Sequence, residues 1–131
     1  MPDPIHYTAS IHYDRRLYRH DIAGSVAHVQ MLANQEVIGR EDAGLIIQGL
    51  EQVGQEIEDD SFPWDPSLED LHMNIESRLH QLIGSVAGRL HTGRSRNDQI
   101  ALDMRLYTKE VTTSAIGGLQ GVQRALVELS E

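Results

Sequence analysis

An all-α fold is predicted for this chain of 131 residues by three observations. Apolar residues recur at steps of three and four over most of its length, the period of a helix packed on one side. The apolar vocabulary is Leu, Ile, Val and Ala, with aromatics at only 5%. Prolines, glycines and an Asp-Asp-Ser run fall between the periodic segments rather than within a repeating strand-and-turn pattern. The predicted architecture is a small N-terminal helical domain over residues 1–90, then a loop and the first long helix of a larger bundle over residues 91–131.

The first helix is expected from Asp14 to Leu32, where Leu17, Asp21, Gly24, Ala27 or His28, and Met31 share helical spacing, with Asn34 as its stop. A second is expected from Arg40 to Glu58, its inner face formed by Leu45, Ile46, Gly49, Leu50, Val53 and Ile57 and its outer face by Glu and Gln. Pro63 and Pro66 cannot continue it. Ser67 offers an N-cap with Asp70 three residues on, which predicts a third helix from Leu68 to Ile83. Gly84, Gly88 and Gly93 loosen the connection that follows.

The last helix, from Asn97 to the end, differs in kind. Ile100, Met104, Tyr107, Val111, Ala115, Leu119, Val122, Leu126 and Leu129 form the seam of a long bundle helix. At 1.5 Å per residue it spans ~50 Å, more than three short helices cover, so the seam calls for further packing partners. Gly117 and Gly118 within it cost ~1 kcal/mol each relative to alanine and point to close helix approach.

Composition narrows the functional classes. Eleven Lys and Arg against twenty Asp and Glu give a formal charge of −9, which opposes binding to nucleic acid or to an anionic membrane. There is no cysteine, hence no disulfide framework and no thiolate nucleophile. No apolar run approaches the ~20 residues that span a bilayer, and no signal-peptide core is present, so a cytoplasmic protein is expected. The seven histidines show no H-x-H or H-E-x-x-H spacing and no Cys partner, so no metal is expected. No phosphate-cradling loop with a following Lys-Ser/Thr occurs, and no cofactor is expected.

The most informative stretch is His91-Thr92-Gly93-Arg94-Ser95-Arg96-Asn97-Asp98-Gln99, which gathers cationic, hydroxyl and amide donors where the long helix begins. Ser95 is placed to cap that helix, and Asp98 closes a variant capping box. Arg94 and Arg96 sit near the positive end of the helix dipole, an arrangement unfavourable by up to ~1 kcal/mol. An anionic ligand reverses the sign of that effect, and an arginine fork binds a carboxylate with two hydrogen bonds.

This nonapeptide resembles the first signature region of the argininosuccinate lyase family, a branch of the fumarase/aspartase superfamily. Three further segments resemble that family in order: Ala9-Ser10-Ile11-His12-Tyr13-Asp14-Arg15-Arg16-Leu17 its A-S-I-x-x-D-R-x-L, Asp21-Ile22-Ala23-Gly24-Ser25 its D-I-x-G-S, and Glu69-Asp70-Leu71-His72-Met73-Asn74-Ile75-Glu76 its E-D-I-H-M-N-I-E. The family's enzymes are several times longer, so the chain is expected to be an N-terminal piece. The later signature regions, carrying a histidine involved in catalysis and the serine proposed as the base, are absent from it.

The resemblance implies reversible elimination of fumarate from argininosuccinate to leave arginine, without cofactor or metal, in a cytoplasmic homotetramer. No catalytic residue is expected in this chain, which should be inactive alone. Ser10, Arg94, Ser95, Arg96 and Asn97 are the implied substrate contacts, with Asp14, Asp70, His72, His91 and Thr92 as further lining residues. Bland readings stand beside each of these. Ser10 also suits a turn hydroxyl, Asp14 a helix charge, His72 an interhelical hydrogen bond, and His91 and Thr92 anchoring within the loop. A non-catalytic anion-binding helical module and a crystallin-like structural protein are the alternative functions.

Overall fold

The computed structural model describes residues 5–130, and these are predominantly helical with no β-strand among them. Four helices carry the fold: α1 (Tyr18–Asn34), α2 (Arg40–Glu58), α3 (Leu71–Ile83) and α4 (Arg96–Ser130). Short helical turns at Ile5–Thr8, Ile11–Asp14 and Arg15–Leu17 lead into α1, and a 3₁₀ stretch, Gly84–His91, joins α3 to the turn before α4. The continuous helix expected from Asp14 is therefore interrupted. It tightens to 3₁₀ at Arg15–Leu17 and then runs two residues beyond Leu32, to the predicted stop at Asn34.

Both α1 and α2 end by the same device. Glu36 and Asp60 adopt left-handed backbone with φ of 58° and 55°. Around them Val37 N–H donates back to Leu32 C=O and Ser61 N–H to Glu56 C=O, both at 2.9 Å, which satisfies carbonyls the helix end leaves open. The helix over 40–58 thus closes before Pro63, in agreement with the boundary read from the sequence.

The start of α3 is a correction. Asp65 Oδ1 accepts from both the Ser67 N–H at 2.8 Å and the Ser67 hydroxyl at 2.6 Å, so Ser67 belongs to a turn and cannot cap. Asp70, extended at φ −142° and ψ 172°, takes that place and accepts from Met73 N–H at 2.7 Å.

The core lies between α1, α2 and α3. Val29, Ile46, Leu50, Val53, Leu71 and Leu79 have no solvent exposure, and Leu32 and Ile75 nearly none. Gly49 lets α3 approach, since a Cβ there would stand 2.5 Å from Leu79 Cδ1. Of the expected inner face of α2, Ile46, Gly49, Leu50 and Val53 are buried and Ile57 packs against the core, and Leu45 is the exception. Leu45 is 40% exposed, because the buried line is Ala43, Ile46, Leu50 and Val53.

The first turns of α4 cross this domain and the remainder projects from it, every described residue from Thr108 onward being exposed. The residues that α4 buries are polar: Gln99 and Asp103. Of the predicted apolar seam, Ile100, Met104, Val111, Leu119, Val122 and Leu126 are exposed, and Tyr107 packs partly buried against the domain core. No helix among the described residues is long and apolar enough to cross a membrane.

Candidate functional site

Two adjacent stripes of α4 organise the site. Arg96, Gln99 and Asp103 follow one another at steps of three and four and face α1 and α3. Asn97, Ile100, Met104 and Tyr107 form the neighbouring stripe at the same spacing.

Beside the second stripe opens a groove of about 640 Å³. Ile100, Met104 and Tyr107 supply its apolar wall, and Ser10, Asp14, Asp70 and His72 its polar one, with Arg16 and Glu69 also lining it. Ser10 and Ile11 donate their N–H groups to the Glu69 carbonyl at 2.8 and 3.3 Å, which ties the N-terminal turns to the entry of α3. Ser10 Oγ donates to Asp14 Oδ2 at 2.5 Å, and Leu71 N–H reaches the same oxygen at 3.3 Å. Asp14 is buried and its Oδ1 has no partner among the described residues.

Behind the groove lies a buried charge network. His72 Nε2 is 2.8 Å from Asp103 Oδ2 and 3.9 Å from Asp21 Oδ1, and its Nδ1 is 3.6 Å from Asp70 Oδ2. That last separation permits charge attraction but exceeds a hydrogen bond. Gln99 donates its amide to Asp21, closing the ring between α1 and α4. Burial opposes a charge on His72, yet the bond to Asp103 and the attraction of Asp70 and Asp21 outweigh it and raise the imidazole to about 9. Burial pushes the Asp21 carboxyl up. Burial also opposes charge on Asp70, but the nearby His72 imidazole and the bond from Met73 N–H prevail and hold it below the usual carboxylate value.

Asp21, His72 and Asp103 are the one group among the described residues whose donor atoms lie within 4.8 Å of one another, the spacing a metal would need. His72 Nε2 engages Asp103 Oδ2, and Asp21 Oδ1 is taken up by the Gln99 amide, while Asp103 Oδ1 is buried with no hydrogen-bond partner among the described residues.

The loop residues alternate in direction. Arg94 turns inward, its side chain 3% exposed and its Nη1 3.2 Å from Ser25 Oγ. Ser95 faces outward. Arg96 turns inward again, donating to Glu76 Oε2 at 2.8 Å and Gln99 Oε1 at 2.7 Å, and Asn97 is exposed. The capping box forms as expected: Asp98 Oδ1 accepts from Ser95 N–H at 2.7 Å, and Ser95 Oγ accepts from Asn97 N–H at 3.2 Å. Thr92 is held through its carbonyl, which lies 3.0 Å from His28 Nε2, and His91 stands beside Arg96 and Gln99 in a small enclosed cleft.

Of the residues singled out in the sequence, Ser10, Asp14, Asp70 and His72 therefore meet in the groove, and Asn97 heads its apolar stripe. Arg94 and Arg96 face the protein. Asp21, Glu76, Gln99 and Asp103 were given no role by sequence reasoning. Their signal was present as polar residues at helical spacing on one face of α4, matched by polar residues at the same spacing on α1 and α3.

Against this geometry, a sequence profile described as lyase matches residues 5–131. The chain belongs to the lyase family. Among curated relatives, the argininosuccinate lyase of Alkalilimnicola ehrlichii is 52% identical over 125 residues, covering 95% of this chain and 27% of that protein. That of Methylococcus capsulatus is 51% identical over the same span with the same coverage. That of Oleidesulfovibrio alaskensis is 60% identical over 104 residues, 79% of this chain and 23% of that protein. The chain spans about a quarter of the length of the relatives it matches.

Proposed function

We propose that this chain is the N-terminal part of an argininosuccinate lyase, forming one wall of a site where fumarate is eliminated from argininosuccinate to leave arginine. The observation that carries this reading is the groove itself. It brings Ser10, Asp14, Asp70 and His72 against Ile100, Met104 and Tyr107 of α4, with Asn97 three residues before Ile100 on the same helix, within a chain about half identical to argininosuccinate lyases. The Ser95 hydroxyl and the Asn97 amide act as donors to the succinate carboxylates, and Ser10, whose hydroxyl proton goes to Asp14, lines the site and holds that carboxylate in place. The buried Asp14 carboxylate, with one oxygen unpartnered, suits the cationic guanidinium end. His91 and Thr92 shape the loop around them.

Elimination removes a proton beside a carboxylate, and the resulting dianion needs preorganised donors more than it needs any one base. This chain supplies donors and a groove wall. The proton-removing base and the acid for the leaving nitrogen come from segments beyond it, so residues 1–90 act as a site-forming domain and 91–131 as the start of the bundle. The exposed seam of α4 supports packing with other copies in a homotetramer. A cytoplasmic location accords with the charge and with the absence of cysteine.

The test is fumarate release from argininosuccinate, followed by absorbance, for this chain and for a chain extended through the family's later signature regions. Release by the extended chain alone is expected. Release by neither would overturn the reading in favour of a non-catalytic anion-binding or crystallin-like module, and release by the short chain would move the acid and base into it.

A further inference from the structure

We propose that Arg94 and Arg96 are positioning residues, which balance the buried carboxylates around His72 and so hold Ser95 and Asn97 facing outward. The ligand-contact side of this assignment rests on the reading above; the positioning side stands on geometry alone.

Arg94 docks on Ser25, one helical turn after Asp21 on α1, and Arg96 docks on Glu76, one turn after His72 on α3. Each arginine thus enters the same charge network from a different helix. The groups facing that network are Asp21 from α1, Asp70 at the cap of α3, Glu76 from α3, Asp103 from α4, and Asp98 4.0 Å from Arg94. Against these carboxylates His72 brings a single positive charge. Asp21 and Asp103 are fully buried and Asp70 largely so, and carboxylates in that setting are costly unless cations approach; Arg94 and Arg96 are further cations that do, acting on Asp21 and Asp70 respectively.

The same contacts explain why two arginines stand at a helix N-terminus, where the dipole disfavours them. The Arg94 guanidinium donates to the Ser25 hydroxyl, and that of Arg96 to the Glu76 carboxylate and the Gln99 amide oxygen. With Arg94 only 3% exposed, it would have to leave its pocket to reach a ligand in the loop. Ser95 and Asn97 need no such movement, because the in-and-out alternation already presents them to solvent.

The experiment is amide hydrogen exchange of the loop by NMR on this chain, in single and paired variants. Arg94→Met and Arg96→Gln are each expected to speed exchange at Ser95 and Asn97 about tenfold by freeing the turn. Removing the opposing charge should restore part of that protection: Asp21→Asn in the Arg94→Met background, and Glu76→Gln in the Arg96→Gln background. Rescue of this kind is not expected of arginines that merely fill space. Arg94→Lys and Arg96→Lys keep the charge and guard against simple unfolding; both should retain most of the protection.

Succinate, added as a dicarboxylate probe, should shift the Ser95 and Asn97 amides and leave the two arginine Nε–H signals in place. Strictly additive effects in the paired variants would overturn the proposal, as would Nε–H signals that move with succinate while loop exchange is unchanged in the variants. Rescue without any response to succinate would uphold the positioning role and count against the ligand reading alone.

Discussion

His72 Nε2 lies 2.8 Å from Asp103 Oδ2, with side chains 2% and 0% exposed, and this contact joins α3 to α4 at the back of the groove. Truncating Asp103 leaves an imidazolium buried without its nearest counter-ion. Asp103→Ala is expected to destabilise the chain by roughly 3–5 kcal/mol in urea unfolding followed by circular dichroism. A loss below ~1 kcal/mol, the scale of a surface ion pair, would show that the contact holds nothing together.

The same network predicts how stability varies with pH. His72, raised in the folded chain to about 9 from 6.5, binds its proton more tightly folded than unfolded. Its stabilisation is therefore complete below pH 6.5 and is lost as pH rises through 9. Asp21 is also raised, by burial, so stability falls with rising pH across the window above its ordinary 3.8 as well. The urea midpoint should drop from neutral to strongly alkaline pH, and the His72 ring carbon should titrate far above an ordinary histidine. Titration of that ring at or below 6.5 would contradict the argument.

Two classes of glycine are expected to respond oppositely to alanine. At Gly49 the new Cβ would meet Leu79 at 2.5 Å and Ile83 at 3.3 Å, so overpacking by roughly 1–3 kcal/mol outweighs the gain in helix propensity. At Gly117 and Gly118 nothing lies within 4 Å, and each alanine should stabilise α4 by ~1 kcal/mol, read as added helicity of the projecting segment. Equal effects at both places would argue against the α2 to α3 contact described here.

The cap of α3 separates geometry from charge. Asp70→Ala should cost ~1 kcal/mol by removing the acceptor for Met73 N–H. Asp70→Asn keeps an acceptor and should cost less at the cap, while lowering the His72 titration by removing a nearby carboxylate. Ser67→Ala, at the position that sequence spacing favours, should fall within about 0.5 kcal/mol of the parent in thermal unfolding. A larger loss at Ser67 than at Asp70 would reverse the assignment.

Much of the fold was legible in the sequence where local physics is strong. The limits of α2, the stop of α1 at Asn34 and the capping box of Ser95 and Asp98 follow from short-range spacing and side-chain chemistry. The start of α3 was misread because Ser67 and Asp70 are both competent caps. The choice between them depended on Asp65 capturing Ser67. Leu45 was assigned to the core because an apolar residue beside a helical stripe looks the same in sequence whichever way the stripe is centred.

By itself, then, the sequence determined the helical class, the element order and the segment rich in donors at the head of α4, since periodicity, caps and breakers act within one or two turns. Only the tertiary structure decided which of those donors are free. Arg94 and Arg96 look like the strongest anion ligands in the loop, yet their partners Ser25 and Glu76 come from elements distant in sequence and turn both guanidinium groups inward. Asp21, His72 and Asp103 likewise carry no shared local signature and meet only when α1, α3 and α4 pack. A charge is oriented by the field of every neighbour within a few ångströms, and those neighbours are set by the fold.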